Sequence, residues 1–151
     1  MMPYTESLSG WGRYPVRACT VWQPSTPQGL QKTLAPLPRC IARGNGRSYG
    51  DASLNPGATI DMLRLDRLIA FDEATGVLTC EAGVLLSDIV TAFVPRGWFP
   101  PGTPGTQMVT IGGMIASDVH GKNHHVAGSF CDHVDWLDLD LGDDHVLLLA
   151  V

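Results

Sequence analysis

The hydrophobic positions of this chain recur at short intervals, which predicts brief strands and helices joined by turns. Two short apolar runs, at residues 39–43 and 58–62, are typical of buried strands. Two further runs, at residues 68–72 and 77–82, lie on either side of the turn-forming residues 73–76, so we expect a β-hairpin there. The pattern therefore predicts several small strands rather than long helices.

Two segments carry helix signals. Thr26 precedes a proline, which favours an N-cap followed by proline in the first turn, and we expect a short helix over residues 27–35. Apolar residues recur at helical spacing between positions 85 and 93, which predicts a second helix. Residues 11–22 precede the first helix and are expected to be extended.

The last residues alternate leucine with acidic side chains. Leu137, Leu139 and Leu141 are expected to form one strand, residues 142–144 a turn and residues 146–151 a final strand. This final strand lacks a polar terminus, a cap or a following helix. We therefore expect that the parent chain continues beyond it, and that its exposed edge allows a homodimer to form.

Length and charge narrow the classes of protein. A chain of 151 residues has the length of one domain, and we expect residues 1–151 to form a single one. Its formal charge of -5 argues against a nucleic-acid partner. No apolar run approaches the roughly 18 residues that span a bilayer, and residues 1–10 do not resemble a secretion signal. We expect a cytoplasmic protein without a transmembrane segment.

The four cysteines, Cys19, Cys40, Cys80 and Cys131, lie far apart in the sequence. None of them belongs to a C-x-x-C pair, the spacing that would indicate zinc, redox chemistry or an iron–sulfur cluster. We therefore interpret them as reduced residues of the core.

Glycines at positions 44, 46 and 50 follow the first predicted strand. A dinucleotide-binding fingerprint would need its third glycine one residue earlier and a helix after it, and a P-loop would need a Gly-Lys-Ser/Thr end. Two interpretations remain open. The glycines either serve the turns of a surface loop, or they let N–H groups converge on an anion to which Arg43 and Arg47 add positive charge.

A second glycine-rich stretch begins at residue 102. Thr110 is expected to cap a short helix that contains Gly112 and Gly113, where a ligand or another part of the backbone can approach closely. Two segments that expose their backbone suit a long, flat cofactor better than a lone phosphate.

Four histidines lie between residues 120 and 133. The spacing of His120 and His124 permits a shared metal ion on a helix, but a glycine and an asparagine between them interrupt that helix. For His124, His125 and His133 we favour hydrogen bonds to loop carbonyls. His120 and Lys122 stand near glycines on a predicted loop, where a cationic side chain can reach a bound ligand. They are therefore better candidates for function than the other three histidines.

Two motifs carry a resemblance to a known family: ARGNGRSYGD at residues 42–51 and TIGGMIASDVHGKNHH at residues 110–125. They resemble the FAD-binding domain of the p-cresol methylhydroxylase/vanillyl-alcohol oxidase superfamily, most closely the decaprenylphosphoryl-ribose oxidases and related FAD-linked sugar oxidases. The resemblance implies an α+β fold of the p-cresol methylhydroxylase (PCMH) type. In it, a small parallel β unit accompanies helices packed on a mixed or antiparallel sheet. The fold is expected to be truncated at its C-terminus, without a substrate domain.

The resemblance also implies an activity. A flavoprotein oxidoreductase of this type oxidises a CH–OH group of a sugar or related alcohol by hydride transfer to FAD, and this fragment alone is expected to be inactive. FAD is expected to be bound non-covalently, because Arg47 stands where some relatives attach flavin through a histidine. The alternative is a non-catalytic truncated module that acts in ligand binding or in strand-mediated self-association.

The resemblance implies three catalytic residues, Lys122, His120 and Tyr49, nearest to the isoalloxazine ring and the substrate, and no metal. The cofactor-binding residues that it implies are Ala42, Arg43, Gly44, Asn45, Gly46, Arg47, Ser48, Tyr49, Gly50, Asp51, Ala52, Gly105, Thr110, Ile111, Gly112, Gly113, His120, Gly121, Lys122 and Asn123.

Overall fold

A four-stranded mixed sheet forms the first half of the computed structural model, which describes residues 2–141. The outer strand β1 pairs antiparallel with β2, and β2 and β3 lie parallel to β4 on either side of it. The predicted small parallel unit is therefore present. The strands are β1 (Tyr4–Ser9), β2 (Val16–Trp22), β3 (Ile41–Arg43) and β4 (Thr59–Asp61), in the order β1-β2-β4-β3.

Helix α1 (Pro27–Leu34) connects β2 to β3 and confirms the predicted helix to within one residue. The Thr26 hydroxyl accepts a hydrogen bond from the Gly29 N–H at 3.0 Å, which satisfies one of the N–H groups that the first helical turn leaves unpaired. Prolines at positions 36 and 38 follow the helix, where they cannot continue it.

A hairpin and a helix begin the second half, as the sequence pattern predicts. The Asp72 carboxylate accepts hydrogen bonds from the Ala74 N–H at 2.8 Å and the Thr75 hydroxyl at 3.0 Å, which closes the hairpin turn. After the helix, Gly97 takes a φ of +86° and ends a 3-10 turn. The elements are β5 (Leu68–Phe71), β6 (Leu78–Cys80), α2 (Leu86–Phe93) and the 3-10 turn Val94–Arg96.

Three short helical elements complete the described chain: α3 (Ile111–Ala116), α4 (His124–Ala127) and the 3-10 turn Phe130–His133. Residues of β6, α2, α3 and the 3-10 turn Phe130–His133 form the larger of two apolar clusters among the described residues, and a smaller cluster lies on the β1–β2 pair. The larger cluster contains Leu78, Cys80, Val84, Leu86, Ile89, Phe93, Ile111, Met114 and Phe130, and the smaller one contains Leu8, Cys19 and Val21.

Three of the sequence predictions need correction or completion. The extended prediction for residues 11–22 missed β1 and its turn, because Leu8 is the single buried side chain of β1. The predicted strand at residues 39–43 is not buried: β3 lies at the edge of the sheet, and Ala42 is exposed. Within the described residues, Leu137–Leu141 form no strand, and the turn and final strand expected at residues 142–151, with the homodimer they would allow, lie outside them.

The cysteines divide into two classes. Cys19 and Cys80 are buried as predicted, and burial raises the pKa of the Cys80 thiol to about 12. The prediction is wrong for Cys40 and Cys131, which are exposed because one precedes an edge strand and the other lies in a surface 3-10 turn. All four thiols are free.

None of the helices within residues 2–141 has the length and hydrophobicity that crossing a bilayer requires.

Thiol labelling tests the burial of the cysteines. Near neutral pH, N-ethylmaleimide should modify Cys40 and Cys131 of the folded chain rapidly and the buried Cys19 and Cys80 slowly, because the reactive thiolate must form and be reached. Intact-mass spectrometry should show two adducts under native conditions and four in denaturant. Rapid addition of four adducts to the folded chain would contradict the described core.

Candidate functional site

The first glycine loop (residues 44–51) follows β3 and presents its backbone to the surroundings. Gly46 and Gly50 take positive φ values of +65° and +58°, a conformation that favours glycine. Within residues 2–141, the N–H groups of this loop donate no hydrogen bond to a protein acceptor. A run of free N–H groups with glycines at positive φ is the geometry of an anion-binding nest.

Arg43 supports the loop from inside the protein. Its guanidinium donates to the Ser53 hydroxyl at 3.1 Å and to the Ser9 carbonyl at 2.8 Å. A side chain at Gly46 would overlap this guanidinium. The Ser48 hydroxyl is also held, since it donates to Ser53 at 3.1 Å. Arg43 and Ser48 therefore fix the shape of the loop.

Arg47 is the positively charged side chain of the loop. Its Cζ atom lies over the Trp11 ring, 5.2 Å from the ring centroid. Its Nε–H is buried and has no hydrogen-bond partner in the described part of the chain. A buried donor without an acceptor costs free energy, so this N–H requires an acceptor that the described residues do not supply.

The first glycine loop packs directly against the second glycine segment (residues 102–113). Gly44 approaches Thr110 so closely that a Cβ atom at Gly44 would overlap the Thr110 side chain. Beside it, the Asn45 side-chain amide donates to the Met108 carbonyl at 2.8 Å. Two motifs that are 63 residues apart in the sequence are thereby joined.

Thr110 confirms the predicted helix cap, because its hydroxyl accepts a hydrogen bond from the Gly113 N–H at 3.2 Å. The Ile111 N–H donates to the Val84 carbonyl and the Gly112 N–H to the Ala82 carbonyl, both at 2.9 Å. A Cβ atom at Gly112 would lie 3.0 Å from that of Ala82. Of the two alternatives that the sequence left open at Gly112, a ligand or another part of the backbone, the structure shows the backbone in close approach.

Gly105 differs from these residues. It is exposed, and a Cβ atom built on it would have no atom within 4 Å. Among the described residues, no protein acceptor pairs with the N–H groups of residues 105–107. This part of the second glycine segment is open to a ligand, whereas residues 111–113 donate within the protein.

The histidine loop (residues 118–125) folds onto the beginning of the second glycine segment. The Asn123 side-chain amide donates to the Pro101 carbonyl at 2.9 Å, and a Cβ atom at Gly121 would lie 2.8 Å from the Thr103 carbonyl oxygen. Asp118, with a φ of +40°, accepts a hydrogen bond from the Cys131 N–H at 3.0 Å. These contacts fix both ends of the loop.

The pKa of Asp118 is lowered. The largest cause is the Cys131 N–H, followed by the side chain of Ser129, and the nearby His120 contributes less. The charged carboxylate is thus the stable form beside these donors.

Two of the histidines hold loop carbonyls, as predicted. Ring nitrogens of His124 and His133 lie 3.1 Å from the Gly121 carbonyl and 2.7 Å from the Ala127 carbonyl, and each donates in the matching tautomer. For His125 the structure shows a ring contact with His124 at 5.9 Å instead of a carbonyl bond. Within residues 2–141, no three His, Cys, Asp or Glu side chains are arranged to hold a metal ion.

The predicted site residues fall into two groups. The first group is the first glycine loop, which contacts residues 108–110. The second group is His120 to Asn123, which contacts residues 101–103. No described contact joins the first group to the second. Tyr49 is 79% exposed and Lys122 is exposed.

Sequence reasoning missed Trp11, an exposed tryptophan between two glycines. The contact of Trp11 is with the distant Arg47, and no local sequence pattern reveals that pairing.

Sequence comparison gives a family and relatives. A family model described as "FAD binding domain" matches residues 20–149. The chain is 41% identical over 141 residues to decaprenylphosphoryl-beta-D-ribose oxidase of Mycolicibacterium smegmatis, covering 89% of this chain and 31% of that protein. It is 34% identical over 94 residues to D-2-hydroxyglutarate dehydrogenase of Escherichia coli, covering 61% of this chain and 9% of that protein. The chain spans less than a third of either relative.

Solved structures share the fold. Cholesterol oxidase from Brevibacterium sterolicum matches with a TM-score of 0.69 at 19% identity, over 79% of this chain and 24% of that one. An alkyldihydroxyacetonephosphate synthase matches with a TM-score of 0.70 at 13% identity, over 89% of this chain and 30% of that one. At these identities the likeness concerns the fold alone, and it confirms the predicted α+β fold of the PCMH type.

The contact between Gly44 and Thr110 predicts a difference between two glycine substitutions. Gly44→Ala should lower the free energy of unfolding by about 1–3 kcal/mol, because the added methyl overlaps a buried threonine. The matched control Gly105→Ala places the same methyl in open space and should change it by less than about 0.5 kcal/mol. Urea unfolding followed by tryptophan fluorescence measures both, and equal stabilities would contradict the described junction.

The lowered pKa of Asp118 predicts a pH dependence. Because the folded-state pKa lies below the ordinary value of 3.8, the carboxylate stabilises the fold above that pH, and this contribution is lost as the pH falls through the lowered pKa. Asp118→Asn keeps the shape and tolerates positive φ but carries no charge. Thermal melts should show a higher Tm for the unsubstituted chain near neutral pH and a gap that closes below pH 3.8. A gap independent of pH would contradict this role.

Proposed function

Since the chain belongs to the family of FAD-binding domains, we propose that it forms the FAD-binding portion of a flavin-dependent oxidoreductase that oxidises a hydroxyl group of a sugar or related alcohol. Bound FAD supplies the acceptor of a hydride in such a reaction. The 41% identity to a ribose oxidase supports the sugar, and the 34% identity to a hydroxyglutarate dehydrogenase supports a hydroxyl-bearing substrate more generally.

The first glycine loop carries this proposal. Its free N–H groups, its two glycines at positive φ and the unpartnered Nε–H of Arg47 form a donor set without a protein acceptor within the described residues. A pyrophosphate is an anion whose several oxygens accept such donors at once. The residues present therefore fit the central group of FAD, with residues 42–52 around it.

The second glycine segment takes a different part in the proposed site. Gly105 offers open space, and the N–H groups of residues 105–107 have no protein acceptor within the described residues, which suits direct contact with the cofactor. Thr110 contacts that loop, and Ile111, Gly112 and Gly113 place their N–H groups on protein acceptors. Thr110 therefore positions the loop. Thr110 and Ile111 are buried, so Gly112 and Gly113 are the two of these four residues with surface to offer the cofactor.

Lys122, His120 and Tyr49 are the proposed catalytic residues. All three are exposed, so their polar ends are available to a ligand. A lysine cation stabilises negative charge that develops on a reacting group, and a histidine accepts or relays the proton of the substrate hydroxyl.

The mode of attachment follows from the loop composition. Residues 42–52 contain no histidine, and Arg47 stands where some relatives carry the histidine that bonds to flavin. The cofactor is therefore held non-covalently. Residues 1–151 act as a single FAD-binding unit, and four free cysteines support a location in the reducing cytoplasm.

Titration of the chain with FAD tests the proposal. The protein should quench flavin fluorescence, and acid precipitation should leave all the flavin in the supernatant. Arg47→Ala should weaken binding at least about tenfold, because it removes a charge-assisted donor to the pyrophosphate. Isothermal titration gives the dissociation constants.

Arg39→Ala is the matched control, since Arg39 is an exposed arginine before β3, at the opposite end of that strand from the first glycine loop. It should bind FAD as the unsubstituted chain does. A colourless chain that neither binds FAD nor quenches its fluorescence would contradict the proposed function, and flavin that precipitates with the polypeptide would contradict non-covalent attachment.

A further inference from the structure

The end of β1 and the turn that follows it are attached to the end of β3 and the first glycine loop by two hydrogen bonds. The Trp11 N–H donates to the Ser48 carbonyl at 2.8 Å. In the opposite direction, the Arg43 guanidinium donates to the Ser9 carbonyl at 2.8 Å. The end of the β1–β2 hairpin and the first glycine loop therefore hold each other in place.

Gly10 shows how closely the two segments approach. It is buried, and a Cβ atom built on it would lie 2.6 Å from the Ser48 carbonyl oxygen and 2.7 Å from the Gly50 carbonyl oxygen. Neither distance is compatible with a side chain. The backbone of the hairpin turn thus packs directly on the carbonyl groups of the loop, whose N–H groups have no acceptor in the part of the chain that the structure describes.

The indole of Trp11 extends this contact to Arg47. The guanidinium carbon lies 5.2 Å from the ring centroid, within the range of a cation–π interaction. An arginine donates its hydrogen bonds in the plane of the guanidinium, so a contact over a ring face leaves those donors free. The Nε–H of Arg47 is buried and unpartnered within the described residues, as a donor reserved for a ligand would be.

These contacts come from outside the region that the family model matches. That match begins at residue 20, whereas β1, its turn and Trp11 precede it.

We propose that Trp11 is a positioning residue for the cofactor. Its ring holds the Arg47 guanidinium beside the backbone N–H groups of the first glycine loop. The arginine donors and these N–H groups then donate hydrogen bonds to the same pyrophosphate. The inference rests on the proposed function. Trp11 acts through Arg47 and needs no contact with the reacting atoms.

Substitutions at Trp11 test this role through FAD affinity. Trp11→Leu keeps an apolar side chain but removes the aromatic face and should weaken FAD binding about tenfold, whereas Trp11→Phe keeps a weaker aromatic face and should weaken it about threefold. Trp136→Leu is the matched control, because Trp136 is 41% exposed and makes no described contact with the loop. Its affinity should be unchanged.

A double-mutant cycle separates positioning from a general structural effect. In an Arg47→Ala background, Trp11→Leu should cause no further loss of affinity, because the interaction it removes is already absent. Binding of ADP, which carries the pyrophosphate without the flavin, should fall by the same factor as binding of FAD. Thermal melts identify a variant that does not fold, and Trp11→Phe then completes the same cycle.

The outcomes distinguish this inference from the function on which it rests. If the unsubstituted chain binds no FAD, both are overturned. If it binds FAD and Trp11→Leu binds it equally well, the positioning role alone is overturned. An equal loss of affinity on Trp11→Leu with and without the Arg47 side chain would likewise show that Trp11 does not act through the arginine.

Discussion

The close approach of Gly44 to Thr110 is the constraint on which the proposed site depends. Gly44 follows the parallel strand β3, and Thr110 caps α3 in the other half of the molecule. Because no side chain separates them, the edge of the four-stranded sheet and the start of the helix meet through bare backbone and a buried hydroxyl. The Asn45 bond to Met108 secures the same junction. The two halves of the fold thereby present adjoining loops.

The two loops have different chemical roles. In the second glycine segment, Ile111, Gly112 and Gly113 donate their N–H groups to acceptors within the protein, so this part is a rigid support. The N–H groups of the first glycine loop instead donate to no acceptor within residues 2–141, and the loop is shaped by Arg43, Ser53 and the β1–β2 hairpin before it. A site organised in this way gains its donors from one loop and its rigidity from the other, which limits the reorganisation needed when an anion binds.

Local signals account for what the sequence predicted well. A threonine before a proline predicted α1, and the turn chemistry around Asp72 predicted the β5–β6 hairpin, because both depend on neighbours in the chain. The exposed Cys40 was missed because edge position in a sheet depends on strand order. In the site, the glycine pattern indicated an anion-binding loop, but the pairing of Trp11 with Arg47 depends on a hairpin that folds back onto a distant loop and has no local signal.

The guanidinium of Arg43 fills the space beneath Gly46, and this makes positions 43 and 46 interdependent. A side chain at position 46 would displace the Arg43 guanidinium from its hydrogen bonds to Ser53 and Ser9, and the φ of +65° disfavours residues other than glycine there. A shorter residue at position 43 would lose the same two hydrogen bonds. Substitution at either position alone therefore carries a penalty. Relatives that keep this loop conformation should therefore keep both the arginine and the glycine, and an alignment should show the two residues retained together.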